Sequence, residues 1–224
     1  MGRVDFDAAV GLMDWLAYDL SGRTDGRGVL LLCEHPVGLS LGAEASRGDL
    51  SEAALDGEVP YRWVTRGGGV GLHGPGQLAV YPLIPLRDRG LGVAAFSRAV
   101  RDAVVESCGD LKVPAFTVED SFDVDGRGGR MATFGASVRH GVTTHGAHWS
   151  VDPEPGLLLL GDRLKRTSVA LQRTKPDLMH SARQAVLHRL IAAFGYDRFH
   201  VHTGHPMLTR VRRPAAKPQP AFAG

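Results

Sequence analysis

Cysteine is scarce in this chain: Cys33 and Cys108 are its only two, far apart and outside any CxxC spacing. That pair excludes a disulfide framework and fits a reducing compartment. Charge of one sign is also lacking. Lysine plus arginine number 26 against 24 aspartate plus glutamate, a formal net charge of +2, which is too small for the electrostatic footprint of a nucleic-acid binder. No apolar run approaches the roughly 20 residues of a membrane span, and Met1–Asp7 carries no signal-peptide core. A cytoplasmic protein without membrane or nucleic-acid partners is the expectation. No internal repeat is visible.

What is present is an ordinary globular composition, 43% hydrophobic and 22% charged over 224 residues, suited to one domain. The domain is expected over 1–207. Residues 208–224, with Pro214, Pro218 and Pro220 beside basic residues, are expected to be a disordered tail. Phe6, Val10, Met13, Leu16 and Leu20 recur at helical spacing and predict a helix over 6–20. Leu91–Val105 and Ala182–Phe194 have the same periodicity. Val29–Cys33, Tyr61–Thr65, Leu78–Ile84, Ala115–Val118, Met131–Val138 and Val142–Val151 read as strands. Asp123–Arg130 reads as a hairpin turn, and the Leu157–Leu160 run as strand-sized and core-like. Strands in the middle with helices near both ends indicate α+β rather than a doubly wound sheet.

The segment from Arg66 to Pro82 reads RGGGVGLHGPGQLAVYP. Its glycines can take positive φ and bring backbone N–H groups close to a ligand. Arg66 adds a fixed cation and His73 a group that titrates near neutrality. A strand follows, not a helix, so a dinucleotide-binding turn is excluded.

This segment closely resembles the RGGxxT-aromatic-HGPGQ-strand-YP signature of the lipoyl(octanoyl) transferases. The resemblance extends upstream to Leu31–Gly42, LLCEHPVGLSLG, and downstream through Arg130–Val151, covering roughly residues 5–200. It implies the fold shared with biotin and lipoate ligases: α+β, a mixed sheet with flanking helices. It implies transfer of octanoate from acyl carrier protein to a lysine of a lipoyl domain or H protein, by a monomer with no cofactor and no metal. The residues it assigns to substrate binding are Arg66, Gly67, Gly68, Gly69, Val70, Gly71, Leu72, His73, Thr133, Phe134, Gly135, Gly146, Ala147 and His148. Two departures lie in the signature: Gly71 stands where the family has threonine, and Leu72 where it has an aromatic residue.

The family works through a cysteine thioester with a lysine beside it, because a neighbouring cation favours the nucleophilic thiolate. Laid without a gap, the second family block puts Arg130 in the lysine slot, and turns the family's Phe-Ala-Leu-Asn into Ala147, His148, Trp149 and Ser150. Arginine keeps the charge but cannot exchange a proton at useful pH. With Gly161 as the family glycine, Leu160 fills the cysteine slot, and a small gap moves that slot as far as Leu164. No cysteine follows Cys108, so the chain reads as a divergent member without the family's Cys and Lys.

Other candidates have bland readings beside them. Cys33 and Cys108 read as buried apolar residues. Thr167 and Ser168 carry hydroxyls near the lost slot, but each needs a base such as His145 or His148 within reach. His140, His145 and His148, and the HxHxxH of His200, His202 and His205, lack a carboxylate or cysteine partner for a metal. Lys165, Arg166, Arg173 and Lys175 form a basic stretch, either a solvated face or a dock for an acidic carrier. Three functions are therefore set side by side: an octanoyltransferase in which the acceptor lysine attacks the bound thioester directly, a non-catalytic acyl- or lipoyl-domain-binding pseudoenzyme, and an ATP-dependent lipoate ligase.

Overall fold

The computed structural model describes residues 1–173 and 177–208. The expected tail lies outside the described residues from 209 onward.

Helix α1 (Phe6–Ser21) starts where the Asp5 side chain accepts from Ala8 N, and buries Ala9, Leu12, Met13, Leu16, Ala17 and Leu20. The cap satisfies one of the open N–H groups of the first turn, and the buried residues form one stripe at i, i+3, i+4 spacing. The chain then runs through β1 (Val29–Cys33), β2 (Gly38–Leu41), a short helix α2 (Glu52–Leu55) and β3 (Tyr61–Trp63), followed by β4 (Val70–His73) and β5 (Gln77–Leu83). Helix α3 (Val93–Asp110) leads into β6 (Ala115–Thr117), β7 (Val124–Gly126), β8 (Gly129–Arg139) and β9 (Val142–Ser150). A short α4 (Val169–Gln172) and a long α5 (Leu178–Ala193) close the described chain.

The strands form a six-stranded sheet in the order β1-β5-β9-β8-β7-β6 and a three-stranded sheet in the order β3-β2-β4. Every pairing in the large sheet is antiparallel; the parallel pairing is β2 with β3. One face of the large sheet carries Leu78, Val80, Ala132, Phe134, Ala147 and Trp149 against Phe96, Val100 and Val104 of α3 and Val186 and Leu190 of α5. The other face packs Ala79 and Tyr81, with Leu31 and Cys33 of β1, against α1. The small sheet has its own cluster, with Leu39, Leu41, Val70 and Leu72, and its β4 lies against β8 and β9. Strands β5 and β9 are buried along their whole length, because both faces of the sheet are covered. The fold is α+β of the expected kind.

The hairpin expected over 123–130 is present, with strand on both of its arms: β7 and β8 pair Asp125 with Arg130 and Gly126 with Gly129 across a tight reversal. Two readings are corrected. The Leu157–Leu160 run is not a strand. Pro155–Leu159 is a 3₁₀ turn, and Leu159 is 77% exposed. Proline at the start of that turn has no N–H to give a ladder, which favours a helical turn over a strand. Finally, β2 and β4 form strands where the sequence shows only short glycine-bearing stretches.

Candidate functional site

The loop after β3 is fixed by its backbone. Ala43 N donates to Arg66 O at 2.9 Å and Gly67 N to Ala136 O at 2.9 Å, while Gly68 N donates to Glu44 Oε1 at 3.0 Å. Gly68 has φ +76°, and a Cβ there would lie 2.3 Å from Phe134 O. A glycine is required both for the positive φ and for the close approach. The loop is thereby pressed onto β8 at Phe134 and Gly135.

Beneath it lies the Arg66 guanidinium, 4% exposed. It donates to Gly67 O, Ser40 O, Ser40 Oγ and Gly69 O at 2.8–3.1 Å. Its ligands are neutral oxygens, and burial pulls its pKa down to about 10 against weak support from the surrounding negative groups. Removal from water disfavours the charged form.

Between this loop and the large sheet is a small cleft of about 70 Å³, lined by Arg66, Gly69, Val70, Asp123, Thr133, Phe134, Asp162 and Leu164. A larger groove of about 490 Å³ lies beside α1, lined by Phe6, Val10, Arg62, Trp63, Arg139 and His145 among others. Its two arginines are already paired, Arg62 with Asp7 and Arg139 with Asp14. The smaller cleft is the better candidate because the loop, β8 and the 162–166 segment converge there.

Deeper in the same interlayer space is a polar chain. His73 Nε2 meets Ser40 Oγ at 2.9 Å, and the His73 and His148 rings are 4.4 Å apart. His148 Nε2 is 3.1 Å from the Tyr81 hydroxyl, which is 3.0 Å from His35 Nε2. His35 Nδ1 faces Val4 O at 2.9 Å. A carbonyl only accepts, so His35 carries its proton on Nδ1. The Tyr81 hydroxyl then donates to His35 Nε2, and His148 donates to Tyr81 from Nε2. That leaves His148 Nδ1 as a bare acceptor, and it has no partner among the described residues. Burial holds His73 and His148 well below the usual histidine range and lowers His35 and, to about 3, His145.

Arg130, assigned to the family lysine slot, sits at the start of β8. Its guanidinium pairs with Asp123 and Asp125, so its charge is already met. Asp123 also accepts from Phe134 N at 2.7 Å. Burial raises the Asp123 pKa in spite of Arg130. Asp123 is a site residue that sequence reasoning missed.

Leu160 and Leu164 separate clearly. Leu160 packs partly buried against the small-sheet cluster, and its carbonyl accepts from Ser51 Oγ at 2.8 Å. Leu164 lines the cleft and is 51% exposed. Its loop is held by the buried Arg166–Asp162 pair, bonded at 2.7 and 2.8 Å, and by backbone pairing of Arg130 with Lys165 and Thr167. Arg166 is therefore no part of an exposed basic surface, whereas Lys165 is exposed. Lys175 lies outside the described residues.

Neither cysteine lines the cleft, although Cys33 Sγ lies 3.7 Å from His35 Nε2 at the far end of the polar chain. Cys33 is 1% exposed in the α1 cluster, and Cys108 is fully buried in the α3 cluster beside Met131. Burial pushes both thiols up to about 12, where little reactive thiolate forms. Ser168 is the N-cap of α4, accepting from Leu171 N, and Thr167 is buried. Among the described residues neither hydroxyl is bonded to His145 or His148. His200 and His202 are exposed, and no group of three His, Cys, Asp or Glu among the described residues could hold a metal. No helix among them is long and apolar enough to cross a membrane.

The family model described as the lipoyl protein ligase A/B catalytic domain matches residues 5–185. An octanoyltransferase of Pelobacter propionicus is 36% identical over 152 residues, 68% of this chain and 70% of that protein. An octanoyltransferase of Geotalea uraniireducens is 34% identical over 146 residues, 65% of this chain and 66% of that protein. Among solved structures, that of a bipartite lipoate protein ligase and its E2 lipoyl domain from Thermoplasma acidophilum superposes with a TM-score of 0.67 at 14% identity. It covers 92% of this chain and 87% of that one.

Proposed function

We propose that this chain, which belongs to the lipoyl protein ligase A/B catalytic-domain family, transfers an octanoyl group from an acyl carrier protein thioester to a lysine of a lipoyl domain, without ATP and without an acyl-enzyme. The observation that carries this reading is the clamped glycine loop closing on Thr133–Gly135 to form a cleft, in a chain 36% identical to an octanoyltransferase. The cleft contains Leu164 and no thiol, and the Thr133 hydroxyl that lines it has no base bonded to it among the described residues, so in this reading the acceptor amine itself is the nucleophile.

In this reading the lysine ammonium enters at the mouth of the cleft, where the Asp123 carboxylate holds it and takes one proton. A free lysine has a pKa near 10.4, so some base is required at neutral pH. The freed amine attacks the thioester carbonyl. Asp123 passes that first proton to water, takes the second from the nitrogen as the C–N bond forms, and gives it to the carrier thiolate as the C–S bond breaks, so that amide, free carrier thiol and one released proton are the products. Arg130 does not exchange protons; it holds Asp123 in place. Positioning of the two reactants supplies much of the rate, since a bound pair avoids the entropy of a bimolecular encounter. Leu164 occupies the slot that a family cysteine would need, and Leu160, packed on the small sheet, does not. The protein acts in the cytoplasm as a monomer over residues 1–207.

The test is an incubation of the full chain with octanoyl-acyl carrier protein and an unmodified lipoyl domain, with ATP omitted, followed by intact-mass measurement of the lipoyl domain. Octanoylation above the chain-free control is expected. An unmodified acceptor, with a cysteine-bearing relative active in the same conditions, would contradict transfer and leave binding alone. Modification only on adding ATP would make the chain a ligase.

A further inference from the structure

We infer that His148 sets how long an acyl chain this protein accepts, by closing the inner end of the acyl site. The inference rests on the acyl-transfer reading and concerns the same cleft. Thr133 lines that cleft, and in the β8–β9 register His148 is its direct cross-strand neighbour. Directly paired residues project from the same face of an antiparallel pair, so the His148 ring stands beside Thr133 in the space between the large sheet and β4. It is 3% exposed.

The opposing strand has given way to it. A Cβ on Gly71 would lie 2.7 Å from His148 Nδ1, 2.8 Å from Arg66 Nη2 and 2.8 Å from Ser40 Oγ. No side chain fits at position 71 while the imidazole is where it is. By the family resemblance the side chains are exchanged across the gap: threonine opposite alanine becomes Gly71 opposite His148. The bulk that closes the space now comes from β9 instead of β4. The ring is anchored from behind by its Nε2 bond to Tyr81, which gives the wall a fixed position. The remaining cleft of about 70 Å³ is small beside ordinary ligand pockets of roughly 300–1,000 Å³. An acyl chain therefore seats by parting this interlayer, and His148 marks how far it can go.

The test is equilibrium binding of octanoyl- and dodecanoyl-acyl carrier protein to the full chain and to H148A, H148Q, G71T and the G71T/H148A double variant. Wild type is expected to favour the octanoyl form. H148A should raise the dodecanoyl-to-octanoyl affinity ratio on the order of tenfold or more, the scale at which added methylenes are discriminated in an apolar pocket. H148Q, which keeps most of the bulk, should leave the ratio near wild type. G71T should lower the melting temperature, and H148A should relieve the part of that loss due to the imidazole, the Arg66 and Ser40 contacts remaining. The inference is overturned if folded H148A binds octanoyl- and dodecanoyl-acyl carrier protein with the wild-type ratio. Equal binding of acylated and unacylated carrier by wild type would overturn the acyl-site reading itself, and this inference with it.

Discussion

Acidification should unfold this protein well before ordinary acid denaturation, and the cause is a set of buried neutral histidines. His73, His145 and His148 are each at most 5% exposed, and burial lowers the pKa of each, that of His145 to about 3. In the unfolded chain a histidine titrates near 6.5. Below about pH 6.5 the unfolded state therefore binds protons that the folded state refuses. Stability is fully present above that pH and falls as the pH drops, for His145 down to about 3. Each such histidine contributes a slope approaching about 1.4 kcal/mol per pH unit. The three together approach about 4 kcal/mol per unit, against a typical total of about 5–15 kcal/mol. His35 adds in the same direction. Asp123, whose pKa is raised, opposes it only nearer the carboxylate range. Urea unfolding followed by tryptophan fluorescence between pH 7.5 and 5 should show this loss, and H148Q should reduce the slope by about 1.4 kcal/mol per unit. A stability that is flat from pH 7.5 to 5.5, or a slope unchanged in H148Q, would refute the reasoning.

Two further outcomes follow from the cleft. L164C should become octanoylated by octanoyl-acyl carrier protein at mildly alkaline pH, detected as a mass shift of the chain, whereas L160C should not. Equal labelling of the two would mean that the slot is not where Leu164 stands. D123N should lower kcat/KM for transfer by about 10²–10⁴, the usual worth of a positioned base, with the loss diminishing as pH rises toward the lysine pKa. Full activity in D123N at pH 7 would remove Asp123 from the reaction.

The core elements were legible from local pattern. The 6–20 stripe is α1 with one residue more, and the apolar run Leu78–Ile84 is the buried β5 shifted by one residue. Strands β2 and β4 were not, because Gly38–Leu41 and Val70–His73 are four residues each with glycines in or beside them. Their pairing with each other, that of β2 with β3, and the clamp of Gly67 N on Ala136 O make them a layer. The glycine loop was visible as a site, since its density of glycine beside Arg66 and His73 has a local cause. Asp123 was not. It lies in what reads as a turn, and its place in the cleft depends on the reversal that brings Arg130 and Phe134 back to it. The choice between Leu160 and Leu164 was likewise beyond the sequence, because the Arg166–Asp162 pair and the Arg130 backbone bridge decide which leucine faces the cleft. The histidine chain assembles from His148 of β9, Tyr81 within β5, His73 at the end of β4 and His35 just beyond β1, so no spacing in the sequence reveals it.

The central claim is transfer without an acyl-enzyme, and the most direct measurement weighs the chain itself during turnover. Full-length protein, octanoyl-acyl carrier protein and unmodified lipoyl domain are mixed without ATP, quenched in acid at intervals, and both proteins are weighed intact. The account predicts a lipoyl domain that gains an octanoyl group while the chain keeps its unmodified mass at every time point. An octanoyl adduct on the chain that forms before the product and decays as the product appears would contradict it.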